Sequence, residues 1–251
     1  MKDYEEFSMR GKNFDYTSLS GNVHDQELSM SEAFPALMRK VYVWMTLALV
    51  ITGFTAYFVA TNPTALSLIY SNQLVFWALI IAELGLVIGL SAAINRLSLT
   101  TATLMFVLYS VVNGVTMASI FLVYTLSSIA SVFFITAATF GAMALYGFFT
   151  KKDLTSWGRF LFMALIGIII ASVVNIFVGS SGLSLIVSYI GVLVFVGLTA
   201  YDSQKIKEML STAANQGEGM QKLALLGALT LYLDFINLFL HLLRILGSSR
   251  E

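Results

Sequence analysis

Three acidic side chains stand where acids are rarely found. Glu83 (in AELGLVIGLS), Asp202 (in LTAYDSQK) and Asp234 (in LYLDFIN) lie within, or at the end of, long apolar runs. A carboxylate in hydrocarbon is costly, so it needs a proton, a partner or water, and it marks a functional site by default. Asp202 and Asp234 suggest a pair. Two carboxyls in one small apolar site do not both ionise cheaply; they hold one proton between them and titrate as a unit. Such a pair is suited to sensing pH. Doubly ionised, it attracts a cation, and its oxygen ligands suit Ca²⁺, while a nearby arginine would compete for the same charge. Asp202 and Asp234 are therefore expected to act as sensor and as a calcium contact. Taken alone, Glu83 is equally compatible with a protonated acid that makes one interhelical hydrogen bond.

Other chemistries are excluded or weakly signalled. The chain has no cysteine, which removes disulfides, thiolate catalysis and thiolate-bound metals. His24 and His241 are far apart and form no metal-ligand spacing. Asn113, Asn175 and Asn237 read as interhelical hydrogen-bond partners, and His241 and Arg244 as interfacial or snorkelling groups.

The elements that must position these acids are membrane spans. Of 251 residues, 58% are hydrophobic and 11% charged, against about 25% charged in a soluble domain. Mean hydropathy is +0.83. Seven apolar segments run from about Val41 to Ala60, Leu74 to Ile94, Leu99 to Tyr124, Ser127 to Phe149, Phe160 to Val178, Leu183 to Tyr201 and Leu223 to Leu246. Each is long enough, at ~1.5 Å per residue, to cross a hydrocarbon core of ~30 Å. None shows the ten-residue alternation of a membrane barrel. The expected class is all-α and polytopic, with a mostly disordered polar tail over 1–35, seven transmembrane helices over 36–247 and a short tail over 248–251. Gly85 and Gly89, in GxxxG spacing, are expected to mark close helix packing.

Basic residues fall on alternate connections: Arg39 and Lys40, Arg96, Lys151 with Lys152 and Arg159, then Lys205, Lys207 and Lys222. The intervening loops carry no charge. This asymmetry predicts a cytoplasmic N-terminus. Lys+Arg and Asp+Glu balance at 14 each, so no nucleic-acid partner is implied. Segments six and seven are then antiparallel neighbours, and Asp202 can face Asp234 only if segment seven starts below the membrane surface or Asp202 sits inside the protein.

The motifs GLTAYDSQKIK (Gly197–Lys207) and LTLYLDFINLFLHLLRILG (Leu229–Gly247), with AELGLVIGLS, YSVVNGVTMASIF and YGFFTKKDL, give the chain its resemblance to a known family. From Val41 to Gly247 it resembles the Bax inhibitor-1 family, in its bacterial branch. The resemblance implies seven helices, the last wrapped by the other six, in a bacterial inner membrane. It implies a calcium leak gated by pH through two aspartates, which match Asp202 and Asp234, and a pore-associated glutamate, which matches Glu83. The family's latch arginine falls by spacing on Ile94; Arg96, two residues on, is the expected replacement.

The expected function is a pH-sensitive, calcium-permeable leak channel, with no cofactor and with Ca²⁺, protons and the lipid bilayer as partners. A proton-coupled cation exchanger and a non-conducting scaffold that binds other membrane proteins are the alternatives. An intramembrane aspartyl protease fits poorly. Leu231-Tyr232-Leu233-Asp234 lacks the two glycines of a GxGD motif, so no enzymatic activity is expected.

Overall fold

The computed structural model describes residues 16–212 and 217–250. Among them nine helices follow one another: α1 (Tyr16–Thr61), α2 (Pro63–Tyr70), α3 (Gln73–Ala93), α4 (Leu99–Met117), α5 (Ile120–Val123), α6 (Leu126–Phe149), α7 (Thr155–Val178), α8 (Ser181–Thr212) and α9 (Glu218–Leu246). Seven spans are long and apolar enough to cross a membrane, α4 and α5 counting as one and α1 contributing from Phe34. The protein is an all-α, seven-span membrane protein.

Local chemistry sets the breaks between spans. Asn62 caps α2, its Oδ1 accepting from the Thr64 and Ala65 amides at 3.1 Å, with Pro63 at the first helical position. Asn72, Ser98 and Thr125 cap α3, α4 and α6 in the same way. Gly179, with φ 67°, closes α7 in the left-handed conformation that glycine adopts without penalty. At the N-terminus, residues 1–15 of the expected tail lie outside the described residues, and 16–35 form the first turns of α1. Pro35 lies inside that helix without ending it.

Two boundaries differ from the hydropathy reading. α8 continues past Tyr201 to Thr212, and α9 begins at Glu218, before Leu223. Their polar overhangs are helical because they hold neighbouring loops. Gln204 clamps the α6–α7 connection, donating from Nε2 to the Lys152 carbonyl at 2.8 Å and accepting the Leu154 amide at 2.9 Å. Lys207 Nζ donates to the Phe148 carbonyl at 2.7 Å and lies over the Phe148 ring. Glu218 accepts the Leu99 amide at 2.7 Å and pairs with Lys222 at 3.2 Å.

The last helix is the most buried of the seven: 67% of its apolar stretch is inside, against 6% for α3 and 11% for α7. It packs extensively on α1, α4, α6 and α8, four of the six other spans. α3 and α7 reach the bundle mainly through α4 and α8. The C-terminal residues fold back onto the α5–α6 turn. Ser249 bridges Tyr124, the Thr125 amide donates to the Ser248 carbonyl at 3.1 Å, and the Arg250 amide donates to the Val123 carbonyl at 2.8 Å.

Close helix approach occurs at glycines other than the GxxxG pair. A Cβ at Gly85 would meet nothing within 4 Å, and one at Gly89 only the Met105 methyl at 3.6 Å. The expected packing role of this pair is thus corrected: Gly85 faces outward. Gly147 instead lies against the Ala200 backbone, and a Cβ at Gly114 would come within 2.6 Å of the Thr52 carbonyl oxygen. Replacing Gly147 with alanine is expected to force α6 and α8 apart and to cost about 1–3 kcal/mol, whereas Gly85→Ala is expected to be neutral within about 0.5 kcal/mol. Thermal unfolding of the detergent-solubilised protein separates the two; equal melting temperatures would show that the α6–α8 approach is not tight.

Candidate functional site

The overhangs of α8 and α9 resolve the question of depth. Because α8 runs on through its DSQKIKEML stretch and α9 starts early, Asp202 is no longer a helix end. Asp202 and Asp234 come within hydrogen-bonding reach of each other. Asp234 is 5% exposed and Asp202 half-buried. Asp234 Oδ2 is sealed from the surface and meets no donor. A buried oxygen without a donor is expensive, and a proton shared with Asp202 is the group at hand that would relieve it. The cation nearest in effect to Asp202 is Lys205, one helical turn on.

Arg96 is not brought to this pair. It sits exposed at the α3–α4 connection and forms no ion pair among the described residues. The expected replacement latch is therefore not made in this structure: the α3–α4 connection meets α9 at its start, where Glu218 accepts the Leu99 amide, and Asp234 lies about 24 Å further along the helix. No cluster of three His, Asp or Glu residues that could hold a metal occurs among the described residues. Asp202 and Asp234 together present carboxylate oxygens but no complete metal cage.

Glu83 lies in a separate polar network. Thr116 Oγ1 donates to Glu83 Oε1 at 2.6 Å, and Asn113 Nδ2 donates to the same oxygen at 3.3 Å. Asn113 Oδ1 accepts from the Tyr232 hydroxyl at 3.0 Å, and Tyr232 lies 2.6 Å from Thr52 Oγ1, which donates to the Ser110 carbonyl at 2.9 Å. The last three contacts share two hydroxyl protons, so one is always unserved. Turning the Asn113 amide over changes this balance, since its nitrogen and oxygen are interchangeable in shape. Nδ2 then serves Tyr232, Tyr232 serves Thr52, and Oδ1 faces Glu83, where a carboxyl proton completes the set. Phe106 and Tyr109 hold the Tyr232 ring edge-on, with centroids at 6.0 and 5.8 Å. This tyrosine was the residue missed in sequence reasoning. Its signal was present: a phenol amid leucines in mid-membrane must find a partner.

Two cavities hold these acids. The larger, about 1630 Å³, is walled by α7, α8 and α9 and by Leu84 and Val87 of α3, and both aspartates line it. The smaller, about 360 Å³, holds Glu83, Tyr109, Asn113 and Thr116. Leu233, Asn237 and Leu240 line both. These three form one stripe of α9 at i, i+4, i+7 spacing, left half-buried between fully buried neighbours. They are the partition between the cavities. Asn237 spends its amide on its own helix, donating to the Leu233 carbonyl at 2.8 Å, so it is not the interhelical partner expected. Asn113 is one, and so is Asn175, whose Nδ2 donates to Ser184 Oγ at 2.6 Å. His241 is half-buried. It stacks on Phe195 at 5.7 Å in space left by Gly191. Arg244 is exposed at the far end of the larger cavity.

Comparison with known proteins gives a consistent picture. Residues 35–251 match the family model described as inhibitor of apoptosis-promoting Bax1. The chain is 53% identical over 214 residues to the inner membrane protein YbhL of Escherichia coli, covering 85% of this chain and 92% of that protein. It is 47% identical over 226 residues to an uncharacterized protein of Borreliella burgdorferi, covering 90% and 96%. It is 36% identical over 213 residues to an uncharacterized membrane protein of Streptococcus pyogenes, covering 84% and 91%.

Removing the Tyr232 hydroxyl tests whether the network carries load. Tyr232→Phe keeps the ring packing and deprives Asn113 and Thr52 of a partner, an expected loss of about 1–2 kcal/mol. Thermal unfolding in detergent measures it, and Tyr189→Phe, at an exposed position, is expected to show no change.

Proposed function

This chain belongs to the Bax inhibitor family of membrane proteins, and from that premise we propose that it is a pH-sensitive, calcium-permeable leak channel gated by Asp202 and Asp234. The observation that carries the reading is the meeting of these two carboxyls on the wall of a large cavity, with one Asp234 oxygen lacking any donor. One shared proton leaves the pair with a single negative charge. Loss of that proton puts two like charges side by side in a low-dielectric wall, which a passing cation or a rearrangement of α9 must answer. The other titratable groups lining the same cavity are Arg159, Tyr201, Lys205, His241 and Arg244.

The ion path in this reading runs from the aspartate cavity, past Leu233, Asn237 and Leu240, to Glu83. Two leucines make the partition apolar, and Asn237 is its one polar member. In the closed arrangement its amide is turned back onto α9. Released from the Leu233 carbonyl, it would offer an oxygen to the ion. No catalytic step is part of this function, and no resident cofactor is required. Partners are Ca²⁺, protons and other membrane proteins. The setting is a bacterial inner membrane with the basic loops, and hence the N-terminus, in the cytoplasm; the alternation of basic and uncharged connections supports that orientation.

Calcium flux into proteoliposomes between pH 5 and 8 tests the proposal. Wild type is expected to change its rate across this range, and Asp202→Asn and Asp234→Asn each to lose most of that response. An intact pH response in both variants would sink the sensor. Stoichiometric proton counterflow would instead favour an exchanger, and flat calcium permeability in wild type a scaffold. Asn237→Leu removes the only polar group of the partition and is expected to lower flux tenfold or more, about 1.4 kcal/mol on the barrier, with the shape of the pH profile retained. Unchanged flux would place the path elsewhere.

A further inference from the structure

The larger cavity is not an enclosed vault. Its α7 wall is built from Phe160, Met163, Ile169 and Ile176, which are 59%, 63%, 53% and 69% exposed. Its α3 wall is Leu84, 58% exposed, and Val87. α3 and α7 share no extensive contact, so the space between them is a groove open sideways, toward the surface that these apolar side chains present to lipid. In a bilayer the open, apolar side of such a groove takes an acyl chain, because Leu84, Val87, Phe160, Met163, Ile169 and Ile176 offer water no hydrogen bonds, while the two aspartates, Asn237 and His241 belong to α8 and α9.

One end of the groove is different in kind. Arg159 and Lys205 both line it and both are exposed. Lys205 Nζ stands 5.7 Å over the Tyr201 ring, and Gly158, the residue before Arg159, is pressed against the same ring. Neither cation has an ion-pair partner among the described residues. Ser156 adds a hydroxyl to the lining, and Trp157, 64% exposed, sits two residues from Arg159. Exposed tryptophan at a span end marks the headgroup level. The two cations therefore stand where phosphates stand, directly above an apolar slot. Asp202 lies near Lys205, and the exposed carboxylate of Asp153 lies within electrostatic reach of Arg159, but neither acid closes an ion pair with these cations among the described residues. At the far end only Arg244 is cationic. From Arg159 to Ile176 the groove follows α7 for about 26 Å, more than half of a hydrocarbon core.

We propose that the groove between α3 and α7 binds one anionic glycerophospholipid, its phosphate held by Arg159 and Lys205 and one acyl chain laid along α7 against Leu84 and Val87. Basic pockets between transmembrane helices select anionic headgroups in this way. The site does not depend on ion conduction, so it stands or falls separately from the leak.

Native mass spectrometry of the full chain in detergent, titrated with phosphatidylglycerol or with phosphatidylethanolamine of the same chain length, tests this. Wild type is expected to retain phosphatidylglycerol several-fold more than phosphatidylethanolamine. The double substitution R159Q/K205Q is expected to abolish that preference, while K151Q/K152Q, in the neighbouring loop but outside the groove, retains it. Met163→Trp, which fills the slot without altering charge, is expected to lower retention of both lipids. Equal retention of the two lipids by wild type would overturn the site. So would an equal loss in K151Q/K152Q, which would mean diffuse surface attraction. Displacement of the lipid by millimolar inorganic phosphate would mean that the anion alone is bound and the slot is idle. If R159Q/K205Q unfolds by circular dichroism, Met163→Trp decides: undiminished retention there overturns the proposal.

Discussion

Everything in this bundle answers to the polar groups carried by its most buried helix. Tyr232 and Asp234 lie on α9 where the surroundings are leucine, phenylalanine and other helices. With no water to accept their hydrogen bonds, each must be met by another span. Tyr232 draws in Thr52 from α1 and Asn113 from α4, and through Asn113 it reaches Glu83 on α3. Asp234 draws in Asp202 from α8. Four of the six other spans are thereby fixed to α9, or to its partners, by directional contacts that lipid cannot replace. Apolar packing alone would leave the rotation of α9 poorly defined, since in a membrane hydrocarbon solvates a leucine face as well as a neighbouring helix does.

The seven spans were legible because hydropathy reports what touches lipid. The overhangs of α8 and α9 were not, because hydropathy does not report helix continuity. In SQKIKEML the polar residues look like a loop, yet Gln204 and Lys207 are polar in order to hold the α6–α7 connection. The depth of Asp234 relative to Asp202 hung on those same turns. The acids were legible as types, since a charge in an apolar run stands out. Their partners were not. Nothing in the spacing of Glu83 and Thr116 shows that they meet, and nothing in the closeness of Arg96 to the latch position shows that it stays outside. Gly85 and Gly89 had the spacing of a packing motif without a partner helix, while Gly147, without the motif, meets the Ala200 backbone. Small residues matter where another chain segment arrives, and one span's sequence does not say where that is.

The placement of the two cavities ties the surroundings of these polar groups together. The aspartate pair and Glu83 stand on opposite sides of a single stripe of α9, so a rotation of that helix about its own axis alters both surroundings at once. The partition is thin, three side chains of one helix, and among the described residues they make no side-chain hydrogen bond to another span. It is the part of the interior whose rearrangement breaks the fewest interhelical hydrogen bonds.

The folded-back C-terminus bears on how α9 can move. At Leu246 the helix runs into a clasp of backbone hydrogen bonds with the α5–α6 turn. At Glu218 it is held by one exposed carboxylate. A rod fastened firmly at one end and lightly at the other behaves as a lever with its fulcrum at the clasp. Asp234 lies about 20 Å from Gly247 along the helix axis, so a tilt of about 5° at the fulcrum carries its carboxyl nearly 2 Å, enough to make or break a hydrogen bond. Residues 248–250 thereby set the arm length through which any tilt of α9 becomes displacement at Asp234.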